Sequence, residues 1–150
     1  MKTIELSKLE NLAIKYSEQK ESMYPLMLIT EDTSTYHLVK EALLNIKDDR
    51  RAYTLLDCSD EGEWCHSLSL RSRDRIIVDW QGLAPLNQIE LLIGIYMTSP
   101  VQVVYLLRDK DLEHLRWLKN HPEEDNYHYN EELLKNNFDM YTVVSSQDGE

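Results

Sequence analysis

Apolar residues follow two rhythms along this chain: short unbroken runs of strand length, and longer stretches with helical spacing. The runs are "PLMLIT" (Pro25 to Thr30), "AYTLLDC" (Ala52 to Cys58), "DRIIVDW" (Asp74 to Trp80), "PVQVVYLL" (Pro100 to Leu107) and "MYTVV" (Met140 to Val144). Continuous rather than alternating apolar character predicts strands covered on both faces, as in a parallel sheet. Between them lie helical stripes. Leu9, Leu12, Ala13, Ile14 and Tyr16 mark a helix over Ser7 to Gln19, with Ser7 and Glu10 spaced as a capping box. Leu38, Val39, Ala42, Leu43 and Ile46 mark a second helix. "APLNQIELLIGIYM" predicts a third, with Pro85 in its first turn, where a missing N–H costs nothing. "KDLEHLRWLKN" predicts a fourth, and "EGEWCHSLSL" and "EELLKNNF" two shorter ones. The tail "SSQDGE" is expected to fray.

Strands alternating with helices predict an α/β fold: a three-layer sandwich around a mainly parallel sheet of about five strands. A chain of 150 residues, 42% of them hydrophobic, suffices for one core, so residues 1–150 read as a single domain. In such folds ligands bind beyond the carboxyl ends of the strands. That singles out Glu31 and Asp32, Asp57 to Asp60, Asp79 and Trp80, and Arg108 to Asp111.

Composition removes several function classes. No run of eighteen apolar residues is present, so no membrane-spanning helix is expected. The first twenty residues mix charges with apolar positions, unlike a signal peptide, which makes a cytoplasmic protein the expectation. A formal net charge of −11 repels phosphate backbones and disfavours direct nucleic-acid binding. It suits a basic protein partner, or solubility alone. Cys58 and Cys65 are the only cysteines; their spacing matches no zinc motif, and reduced thiols are expected.

The stretch "LMLITEDTSTYHLVKEALL" (Leu26 to Leu44) has the strand–turn–helix order of a phosphate-binding loop. Such a loop aims backbone N–H groups and a helix N-terminus at the anion, with glycines for close approach and a lysine on the outer phosphates. Here the turn carries Glu31 and Asp32, which complement the helix dipole themselves and repel a triphosphate. Thr33, Ser34 and Thr35 are all good helix caps. A capped helix after a strand therefore explains the stretch as well as a ligand site does.

Two family resemblances rest on these residues. Glu31, Asp32 and, after "RIIVDW", Asp79 resemble the acidic set of response-regulator receiver domains, which implies a Mg²⁺ site. The hydroxyl residue expected after strand four and the lysine after strand five are missing from that pattern. A longer, collinear resemblance, from about Ser7 to Val144, is to the AAA+ domain of bacterial enhancer-binding (NtrC-like) transcription activators. "LITEDTSTYHLVKEAL" resembles that family's Walker A segment, typically "LITGETGTGKELVARAI", with one residue deleted. "IIVDWQGLAP" resembles its Walker B segment "LFLDEIGELP", "VQVVYLLRDKDLEHL" its sensor strand, and "PEEDNYHYN" its arginine-finger segment "FREDLYYRL". The resemblance implies a P-loop-NTPase-like core. Every catalytic position departs from it. His37 stands at the Walker A lysine, and Glu31, Ser34 and Tyr36 replace loop glycines. Trp80 replaces the water-activating glutamate beside the retained Asp79. Asp109 stands at the sensor asparagine, and Glu123 at the arginine finger. No room remains between Cys58 and Asp79 for the family's sigma-factor loop. Phosphoryl transfer is positioning plus electrostatic stabilisation, and these losses leave almost none of either.

Tyr36, His37, Asp79 and Trp80 are thus expected to be vestigial nucleotide-site positions, with no catalysis and no cofactor. The implied function is regulation through protein–protein binding, with an AAA+ transcription activator or a second copy as partner. The alternative is a receiver-like signalling domain with Asp79 as vestigial phosphoacceptor. An enzyme using the strand-end carboxylates ranks last, because nothing specifies its substrate. Trp80, Tyr127 and Tyr129 are the candidate interaction residues, since tyrosine and tryptophan are enriched at interface hot spots. Trp117 is expected to complete the buried stripe of Leu112, Leu115 and Leu118. His114, His121 and His128 recur every seven residues, but Pro122 breaks the helix before the third, which weakens a shared metal site.

Overall fold

A computed structural model of the chain describes residues 2–18, 24–46, 54–57, 76–80, 103–126 and 130–145. Six strands form one sheet: β1 (Lys2–Glu5), β2 (Leu26–Thr30), β3 (Thr54–Asp57), β4 (Ile76–Asp79), β5 (Val103–Arg108) and β6 (Asp139–Val144). The helices are α1 (Leu9–Glu18), α2 (Thr33–Leu44), α3 (Glu113–Asn120) and α4 (Glu131–Asn137), with 3₁₀ turns at Leu6–Lys8, Asp109–Leu112 and Pro122–Glu124. The strand order is β1-β6-β2-β5-β4-β3, and each neighbouring pair runs parallel. The five strands expected from the apolar runs are all present, and β1 adds a sixth. The predicted helices over 61–70 and 84–97 lie outside the described residues.

The unbroken apolar runs become strands because both faces of the sheet are covered. Side chains alternate along a strand, and here each set meets its own layer of helices. Leu26, Leu28, Ile77, Val104, Leu106 and Val143 pack with Leu9 and Ala13 of α1 and with Tyr36, Val39 and Leu43 of α2. Met27, Ile29, Val78, Tyr105, Leu107 and Met140 pack on the other side with Leu112, Leu115 and Leu118, and with Leu134 and Phe138 at α4. The result is a helix–sheet–helix sandwich.

Two helices differ from the sequence expectation. Ser7 caps nothing; it sits inside the 3₁₀ turn Leu6–Lys8 that leads into α1. On α2 the buried face is Thr35, Tyr36, Val39 and Leu43, and Leu38 is exposed. The hydroxyl of Tyr16 on α1 donates to Asp139 Oδ2 at the start of β6, pinning helix to sheet. Burial first, and then this bond, hold the phenol proton on well above its ordinary range.

Candidate functional site

Strand order decides where a ligand site can lie. The connection leaving β2 begins with α2 on one face of the sheet. The connection leaving β5 begins with Asp109–Leu112 and α3 on the other. Adjacent strands whose connections depart to opposite faces open a crevice at their carboxyl ends, the usual ligand position in such sheets. The crevice here lies between Thr30 and Arg108, which are register partners.

On the α2 side, side chains of this protein fill the crevice. Tyr36, in the first turn of α2, is fully buried. The Arg108 guanidinium carbon lies 6.0 Å from its ring centroid and the Lys40 ammonium 5.5 Å, so two cations lean on one phenol ring. Lys40 reaches on to Asp79 at the end of β4, with Nζ 3.2 Å from Oδ2. Arg108 is itself held by Asp111, through its backbone N–H and both Nε and Nη2. Thr30 Oγ1 and the Tyr36 hydroxyl are buried without hydrogen-bond partners.

The helix N-terminus is capped from within. Asp32 Oδ1 accepts from the Thr35 backbone N–H at 2.7 Å, and Tyr36 N–H donates to the Asp32 carbonyl. Asp32, not Thr33, Ser34 or Thr35, is the cap. Replacing Asp32 by alanine removes a capping bond and an anion at the positive end of the helix, so a loss of about 1–2 kcal/mol is expected. Asp32→Ser should retain most of it. Denaturant midpoints at unchanged slope would measure both, and an alanine variant as stable as the parent would contradict this role.

The other positions from the resemblances are also engaged or displaced. His37 is exposed, its ring edge-on to Tyr36 at 5.9 Å. Asp109, at the sensor position, accepts from Arg116 Nη2 at 2.6 Å and Nη1 at 3.1 Å, and this bond holds its carboxyl below the usual range. Arg116 also donates to Glu131 Oε2 at 2.7 Å, tying α3 to α4. Glu123, at the arginine-finger position, is exposed in the turn Pro122–Glu124.

The receiver-like metal set does not assemble. Glu31 and Asp32 are exposed, Asp79 is buried against Lys40, and no three His, Cys, Asp or Glu among the described residues are placed to hold a metal ion. The topology gives the reason. Receivers have strand order 2-1-3-4-5, which sets their first and third strands side by side; here β5 separates β2 from β4.

The aromatic residues also sort differently from expectation. Trp80 is fully buried beside Val78, Tyr105 and Leu107, so it presents no interaction surface. Its backbone N–H extends the sheet by donating to the Leu106 carbonyl at 2.9 Å, while its indole N–H is buried and unpartnered. Trp117 is the reverse case: it is 45% exposed, stacked between His121 at 4.2 Å and His114 at 6.2 Å. Tyr127, Tyr129 and His128 lie outside the described residues, as do Cys58 and Cys65. Lys40 is the site residue that the sequence did not flag. Its spacing of four from Tyr36 was the available signal, because it puts both side chains on one face of α2.

Comparison with protein-family models, curated proteins and solved structures gave no match to this chain. No described helix is long and apolar enough to cross a membrane.

Proposed function

We propose that the chain is a non-catalytic, AAA+-like interaction module that regulates by binding protein and does not hydrolyse ATP. One observation carries this. Asp79, the carboxylate that would organise a metal ion in an active relative, is instead neutralised by Lys40. The turn after β2 supports the same function. Its Thr35 N–H meets the Asp32 carboxylate, and Tyr36 occupies the first turn beneath Arg108. Counted from Leu26, the strand order is 5-1-4-3-2, with β1 as an additional edge strand.

The partner class follows from the same resemblance. A module that keeps the core of an AAA+ subunit and lacks its chemistry can dock on an active subunit, here of a bacterial transcription activator, or on a second copy. The net charge of −11 argues against a direct nucleic-acid role.

Three measurements test this together. Isothermal titration with Mg²⁺–ATP, followed by a phosphate-release assay, is expected to show neither binding nor turnover. Adding the protein at equimolar ratio to an NtrC-like AAA+ domain is expected to change that domain's ATP turnover severalfold. A phosphate release that disappears in Asp79→Asn would overturn the non-catalytic assignment. Unchanged turnover of the AAA+ domain would remove it as partner, and analytical ultracentrifugation would then decide for or against self-association.

A further inference from the structure

We draw no further inference here: the strongest candidate, the solvent-facing stack of His114, Trp117 and His121 along α3, is an exposed aromatic patch for which nothing in the structure shows what covers it.

Discussion

Asp79→Ala is expected to destabilise the protein by about 3 kcal/mol, the lower end of the range for breaking a buried ion pair. The Asp79 side chain is only 8% exposed and that of Lys40 22%, so the ammonium left behind keeps part of its water and the cost stays below the extreme. Lys40→Met should also be destabilising, since it removes the ammonium that lies against the more deeply buried partner. The double variant Lys40→Met/Asp79→Leu is the informative one. It strands no charge, and apolar replacement of a buried pair is often nearly neutral. Its loss should therefore be well below the sum of the single losses, with a coupling of about 1–3 kcal/mol in a double-mutant cycle. Equilibrium unfolding in urea, with the slope checked for constancy, gives all three values. Single losses within about 0.5 kcal/mol that simply add would mean the pair behaves like a surface contact. The central support for a self-occupied site would then be gone.

The same pair shows what the sequence could and could not reveal. Apolar runs located β2, β4 and β5 because a strand buried on both faces must be apolar at successive positions, and a doubly covered parallel sheet requires that. β1 escaped because "KTIE" carries no such signal. Three of its four residues are exposed, and backbone pairing to β6 holds it at the sheet edge. Lys40 and Asp79 are 39 positions apart, and spacing within α2 says nothing about which strand the helix will cover. That depends on strand order, which the apolar pattern leaves open. Two other misplacements were within reach. Period-two alternation puts Trp80 on the face of Val78, opposite Asp79, and in a sheet covered on both sides either face is core. Helical geometry of 3.6 residues per turn puts Trp117 about 160° from Leu115, away from the stripe it was expected to complete. Residue type suggests an interface at Trp80 and nearness to an apolar stripe suggests a core position at Trp117, and the angular position decides each the opposite way.

Trp80→Ala is expected to cost about 3–5 kcal/mol, the range for deleting a large buried aromatic. A domain of this size has roughly 5–15 kcal/mol to lose, so this single change removes a large share of its stability. The size of the effect comes from position. Trp80 follows β4 on the face that packs against Leu112, Leu115 and Leu118, where its loss opens a cavity between sheet and helices. Trp80→Phe separates packing from polarity. It keeps an aromatic ring in the same layer and removes an indole N–H that is buried without a partner. Deleting an unsatisfied donor recovers about 1–3 kcal/mol of desolvation, which offsets the smaller ring. A net loss below about 1.5 kcal/mol is expected, against the much larger loss for alanine. The pair of variants also tests the interface role first suggested by residue type. A core tryptophan predicts that Trp80→Phe, once shown to be folded by thermal melting, affects the turnover of the NtrC-like AAA+ domain proposed as partner as the parent does. A folded Trp80→Phe variant that no longer does so, with its melting temperature unchanged, would place the indole at the partner surface and contradict its burial between β4 and α3.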